Sequence, residues 1–388
     1  MRLTYFFAIL PLFFSQCGSD SDYEQQETSE KSESYKGEFQ SFDLAFGSEK
    51  YGTKNEFFLS APRRLLVNDN GDILIVDEDR IKIFDENGIG KKILGRPGQG
   101  PGEFENTPDI FIGPTGYLIA FSKLRYTTYN LYAPDYTFIN KVRVQNNEKR
   151  ILDFVQSEIP GIRSYNIKQI IPLNETEKIF LIEYRIDNYK SIFSVIYEEN
   201  DEFVEILSGE VPPAWGSFFL DVLPGRRIVC INTGDDRHDE QTGSFYYIHI
   251  VSLDTREDKI ITRKFDAHEF TKDDFEQLLQ HGKRSNNEKR MEETVEFLKN
   301  KKFDRSVSMV KVDGQYAFIE LFKNRNVIEI FDLEDAKFIK QVIFPKYITD
   351  KTIRNGYFYD IYQEEDEFGV LDFPEIRKYK IHPSVYEK

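Results

Sequence analysis

The chain has 388 residues, 40% hydrophobic and 15% aromatic, which is enough apolar material for a large core and excludes a chain disordered throughout. A formal net charge of −16 excludes a broad nucleic-acid surface, because neutralising phosphates needs clustered Lys and Arg. The aromatic content is 34 Phe and 22 Tyr against 1 Trp, side chains that pack well on pleated sheets, so an all-β fold is the first expectation.

At the start of the chain, Arg2 precedes an apolar run from Leu3 to Phe14, too short to span a bilayer but of the length of a signal-peptide core. The run ends in Phe14-Ser15-Gln16-Cys17, which resembles a bacterial lipobox, although Gln16 replaces the usual small residue. That resemblance implies acylation of Cys17 after removal of residues 1–16, and contact with the membrane through the lipid anchor only. Residues 17–36 follow as a flexible acidic tether without large aliphatic side chains. Acidic residues directly after a lipidated cysteine are similar to the export signal of some Gram-negative surface lipoproteins. An outer-membrane lipoprotein facing either the periplasm or the cell exterior is therefore expected.

Residues 37–388 carry a repeat. Pro62 to Asp77 gives two strands joined at Asn70-Gly71, a dipeptide that supplies the positive backbone dihedrals of a tight hairpin, and Asn87-Gly88 repeats the device one hairpin later. Pro108 to Phe121 repeats the first hairpin, with Gly116 about 45 residues after Gly71, close to the period of a four-stranded propeller blade. The stretch from Pro62 through Gly95-Arg96-Pro97-Gly98-Gln99-Gly100-Pro101-Gly102-Glu103-Phe104 to Pro108 resembles the NHL repeat. Beyond Phe121 only the rhythm persists, in units from Ile167 to Leu207, Phe219 to Phe265, Ser306 to Phe344 and, shorter, Tyr357 to Ile381.

These units predict an all-β, six-bladed β-propeller. Its last blade is completed by the alternating segment Glu38 to Phe46, because a ring buries the apolar faces that an open stack exposes. As a whole the chain is similar to NHL-like and TolB-like propeller lipoproteins. One segment, 267–302, breaks the β rhythm between the fourth and fifth units. Thr271 as N-cap, Asp274 in the capping-box position and a Phe270 to Phe275 staple start one helix, and Glu288 with Met291, Val295 and Leu298 marks a second.

Local catalytic motifs are missing. The run Gly95 to Gly102 lacks the spacing of a phosphate loop and reads as an inter-blade connection, and no G-x-S-x-G elbow occurs. Cys230 lies in an apolar strand, where it reads as core. The acidic loop Gly234 to Glu240 departs from the EF-hand spacing and reads as solvated.

A propeller gathers isolated residues around its axis. By register with the proline-led strand starts, Arg64, Asp109, Asp221 and Asp360 are expected at the channel mouths, and Trp215 on a loop where its ring would stack on a sugar or peptide. The expected function is an envelope-anchored binding or scaffold module for a protein or glycan partner, monomeric, without catalysis or cofactor. The alternative is a metal-assisted hydrolase, lactonase-like or lyase. It would hold a divalent cation such as calcium at the central channel on Asp109, Asp221 and Asp360, and needs those carboxylates to converge.

Overall fold

The structure is a computed structural model. It describes residues 34–35, 40–123, 127–143, 164–185, 191–200, 202–211, 216–284, 288–323, 326–343, 351–365 and 371–387, together with 150, 151, 153, 154, 157 and 162. The signal segment, Cys17 and most of the tether lie outside them.

The described strands form six sheets, antiparallel except for one short parallel pair at an outer edge. Blade 1 comprises Pro62–Val67, Ile73–Asp77, Arg80–Phe84 and Gly90–Leu94; blade 2, Asp109–Ile112, Leu118–Lys123, Thr127–Tyr132 and Phe138–Arg143. Blade 3 comprises Ser164–Pro172, Lys178–Arg185, Ser191–Glu199 and Glu202–Val211; blade 4, Phe218–Leu223, Arg227–Asn232, Gly243–Ser252 and Asp258–Phe265, with Arg237–Asp239 added beside the third strand. Blade 5 holds Val307–Asp313, Tyr316–Leu321, Val327–Asp332 and Lys337–Ile343. Blade 6 holds Lys351–Arg354, Tyr357–Tyr362 and Glu375–Ile381, and its fourth strand is Gln40–Phe46, running from Gln40 opposite Ile381 to Phe46 opposite Ile376. The chain is thus an all-β, six-bladed propeller whose two ends share one sheet.

The second strand of each blade shows why the sequence folds this way. Ile73 and Ile75 pack into the core between blades 6 and 1, while Leu74 and Val76 pack between blades 1 and 2. Ile228 and Cys230 face blade 3, and Val229 and Ile231 face blade 5. Successive side chains of a strand point to opposite faces, so a strand buried on both reads as an unbroken apolar run. Six separate apolar clusters result, one between each pair of neighbouring blades, including the pair that joins the last to the first. Cys230 is fully buried and its thiol is pushed well up by desolvation, as a core residue requires.

Two features depart from the sequence expectation. The predicted tether end is partly strand: Ser34–Tyr35 pairs in parallel with Gln341 and Val342 on the outer edge of blade 5. Blade 6 starts at Lys351, ahead of Tyr357, because Asn355 and Gly356, with φ of 57° and 75°, form the first hairpin turn of that blade. The helical insertion comprises Lys272–Arg284 and Glu288–Lys301, between blades 4 and 5. Its capping box is built as predicted: the Thr271 amide and hydroxyl donate to Asp274 Oδ2 at 2.8 and 2.7 Å.

Short turns on one face carry polar ties between blades. Tyr136 donates to Asp72 at 2.8 Å across blades 1 and 2, Arg226 donates to both oxygens of Glu177 at 2.8 and 3.2 Å across blades 3 and 4, and Tyr386 donates to Asp313 at 2.7 Å across blades 5 and 6. Arg226, aided by the Tyr197 hydroxyl, holds the Glu177 carboxyl down to about 2. A depressed carboxyl contributes stability above its unfolded value of about 4.3 and loses it as pH falls towards about 2. Glu177→Gln is therefore expected to lower stability by roughly 2 kcal/mol at pH 7, with the deficit narrowing in acid; urea midpoints across pH check this, and a pH-independent deficit would contradict it. Ring closure has a separate test. A chain beginning at residue 48 is expected to melt about 10 °C or more below one beginning at residue 34, since it loses the buried Phe46 and a full ladder of hydrogen bonds.

Candidate functional site

The first strand of every blade lines a central channel of about 500 Å³; Leu65, Ile110, Gln169, Asp221, Lys311 and Thr352 are wall residues from blades 1 to 6 in turn. Because each blade is a four-stranded antiparallel meander, all first strands run the same way along the channel. Their N-terminal ends gather at one mouth and their C-terminal ends at the other. Among the described residues the N-terminal mouth also receives connections between blades, including residues 95–108 and the helical insertion, whereas the C-terminal mouth receives tight turns such as 68–72 and 173–177.

At the N-terminal mouth the Arg64 guanidinium lies 3.1 Å from Asp109 Oδ1, and both side chains are well exposed. Arg305, just ahead of the first strand of blade 5, lies 4.2 Å over the Phe322 ring and donates to the Ser217 hydroxyl at 2.6 Å. Ser308 donates to Glu320 at 2.7 Å. Phe218, on the wall, is held by a parallel ring stack on Phe193 at 5.8 Å.

Towards the C-terminal mouth Arg354 donates to Asp69 at 2.8 Å and to the Val312 carbonyl at 3.2 Å. Asp221 is half-buried in the wall and accepts from the Val222 amide at 2.8 Å. Burial raises its carboxyl above the ordinary Asp range, and the nearby Arg354 and Lys311 oppose that shift without cancelling it.

Of the residues predicted for the channel, Arg64 and Asp221 line it, and Asp109 is at its mouth on Arg64. Asp360 is elsewhere. It is on the second strand of blade 6, opposite Lys351 and Arg377, and is buried within the ring. The misplacement follows from starting the last unit at Tyr357; the strand Lys351–Arg354 is four residues long and mostly polar, and it places Arg354 at the channel instead. Trp215 and Cys17 lie outside the described residues.

The carboxylates required by a metal-assisted mechanism are dispersed: Asp109 engages Arg64, Asp221 faces Lys311 and Arg354, and Asp360 is off the channel. Among the described residues no three His, Cys, Asp or Glu side chains are grouped to hold a metal ion. The acidic loop is exposed at Asp235, Arg237, Asp239 and Glu240, and Asp236 anchors it to the start of blade 5 by accepting from the Ser306 amide and hydroxyl, both at 2.9 Å. Likewise the glycine run winds around Glu103, which accepts from the Gly100 amide at 2.8 Å and from Arg96 at 2.7 Å. Sequence reasoning missed Gln169, Arg305, Lys311, Arg354 and the rings of Phe219 and Phe322. For Arg354 the signal was present in Asn355-Gly356, a turn dipeptide that implies a strand before it.

A family model described as a 6-bladed beta-propeller matches residues 50–170. No curated protein matches the chain. Among solved structures the chain is similar to a Bacteroides fragilis protein described as exported, at 12% identity and a TM-score of 0.47, covering 85% of this chain and 93% of that one. It is also similar to the WD40 repeats of RRP9, at 8% identity and a TM-score of 0.42 over 83% and 94% of the two chains. The β-propeller domain of the trilobed protease of Pyrococcus furiosus follows at 12% identity and a TM-score of 0.35, over 79% of each chain.

The raised Asp221 carboxyl has a measurable consequence. A group whose folded value lies above its unfolded value costs stability as pH rises from about 3.9 through the folded value. Asp221→Asn is therefore expected to be at least as stable as the parent at pH 7, with its advantage disappearing near pH 4. Thermal unfolding at the two pH values checks this, and a variant destabilised at pH 7 would contradict it.

Proposed function

We propose that the chain is a lipid-anchored, non-enzymatic binding propeller of the cell envelope, with NHL-like and TolB-like repeats, whose ligand meets the N-terminal mouth of the channel. The observation that carries this reading is the difference between the two faces. The short-turn face is occupied by polar ties between blades, from Asp72 to Tyr136, Glu177 to Arg226 and Asp313 to Tyr386. The opposite face bears the long connections and an exposed Arg64–Asp109 pair beside the channel. Binding residues concentrate on loops held by a rigid scaffold, and concave sites with a few convergent polar groups are the usual ligand sites. The lipobox-like segment at Cys17 and the acidic residues after it support an outer-membrane lipoprotein with a protein or glycan partner at that mouth.

Two experiments test the reading. With Cys17→Ser the chain is expected to move from the membrane to the soluble fraction, and a variant that stays wholly membrane-bound would place the anchor elsewhere. With a photo-crosslinking residue at Arg64, adducts are expected in a Gram-negative host, and none with the same residue at the exposed Glu175 of the opposite face. Adducts from Glu175 alone would overturn the assignment of the mouth.

A further inference from the structure

Charges along the channel and at its two mouths occur in matched numbers. The wall carries Arg64, Arg305, Lys311 and Arg354 with Asp221 and Glu320, and Asp109 and Asp69, just outside it, pair with Arg64 and Arg354. A site for a phosphate or carboxylate presents cations that the ligand must neutralise, and a site for a cation presents an excess of carboxylate. With those two ion pairs counted, the channel and its mouths have neither excess. What they offer is a donor beside an acceptor, most openly at Arg64 and Asp109, where the guanidinium and the carboxylate are both accessible from the mouth. A hydroxyl group donates and accepts at once, and neighbouring hydroxyls on a sugar ring meet such a pair without any net charge.

Two further features point the same way. Gln169 projects from the first strand of blade 3 as a wall residue, and its Oε1 is buried with no hydrogen-bond donor among the described residues. An unmet buried acceptor costs roughly 1–3 kcal/mol, a cost removed by a ligand that supplies an O–H. The rings of Phe111 and Phe219 belong to the same wall, giving apolar surface against which the C–H face of a sugar packs. A volume of about 500 Å³ is within the range of small-ligand sites.

We infer that the channel binds a neutral oligosaccharide, with Arg64, Asp109 and Gln169 engaging its hydroxyls and Phe219 packing on a ring face. The inference rests on the assignment of the ligand to this mouth and names its chemistry. It is tested by titration calorimetry on the full chain carrying Cys17→Ser, with neutral hexasaccharides of glucose, mannose and xylose, hexagalacturonate as the anionic counterpart, and a mixture of hexapeptides.

At least one neutral hexasaccharide is expected to bind, with an affinity that changes less than about twofold between low and high salt, because no ion pair forms. Arg64→Met and Asp109→Asn are each expected to weaken it about tenfold. Gln169→Leu is expected to abolish binding while raising the melting temperature, since it removes an unmet acceptor; a merely structural role for Gln169 would lower both. Binding of hexagalacturonate alone with strong salt dependence, binding of peptides alone, or no binding of any neutral hexasaccharide would overturn the inference. The last result together with crosslinks from Arg64 would leave the mouth standing and reject only the ligand class. Crosslinks from Glu175 alone would reject the mouth itself.

Discussion

Six sheets that are apolar on both faces are stable together only if none of them is last. The antiparallel ladder between Gln40–Phe46 and Glu375–Ile381 meets that condition by putting the first long strand of the ring beside the final one. Without it, Phe46, Leu65, Ile73 and Tyr359, which now share one cluster between blades 6 and 1, would face water on both sides of a gap. The same ladder sets the channel, because its width follows from how many blades must fit around the axis once the circle is complete.

Closure alone does not specify register, and the interface between blades 4 and 5 shows what does. These blades are joined by the longest connection, the one carrying the two helices, so the chain there imposes little order on the pair. A buried carboxylate compensates. Glu329, 1% exposed, accepts from the Tyr246 hydroxyl at 2.5 Å, from Arg263 at 2.7 Å and from Gln341 at 3.0 Å. A one-residue slip of either sheet would strand at least one of these groups without a partner, at a cost of several kcal/mol. The Arg263 guanidinium also lies 3.6 Å from the Phe338 ring centroid, so its position is determined from two directions.

The fold was legible because it is written in periodic signals. Apolar runs such as Ile73 to Val76 and Ile228 to Ile231, each preceded by a glycine-containing turn, are what strands buried on both faces require, and the capping box at Thr271 marked the helices against that background. Legibility failed where a strand had no apolar pattern to show. Lys351–Arg354 has a single large apolar residue in Ile353, its other buried position being the polar Thr352, so it offers no apolar run, and the expected channel residue moved from Arg354 to Asp360. The channel was less legible for a related reason. Its polar residues are scattered over the blades, at positions where one polar side chain in an alternating strand is normal, so Lys311 and Gln169 carry no local mark of what they face.

The two mouths also differ in what a ligand would have to displace. At the C-terminal mouth Arg354 is engaged by Asp69 and a backbone carbonyl, and Asn355 donates to the Asn68 carbonyl at 2.9 Å, so the polar groups there already join blade 6 to blade 1. Drawing them towards a ligand would weaken the seam that completes the ring. At the N-terminal mouth the Arg64–Asp109 pair joins neighbouring first strands through exposed side chains, and exposed ion pairs contribute little to stability. Re-bonding that pair to a ligand therefore costs the fold little, whereas the opposite mouth has its chemistry committed to holding the circle shut. The same residue types, Arg and Asp, are thus used in two different ways, at one mouth to join blades 6 and 1 and at the other as an exposed pair beside the channel.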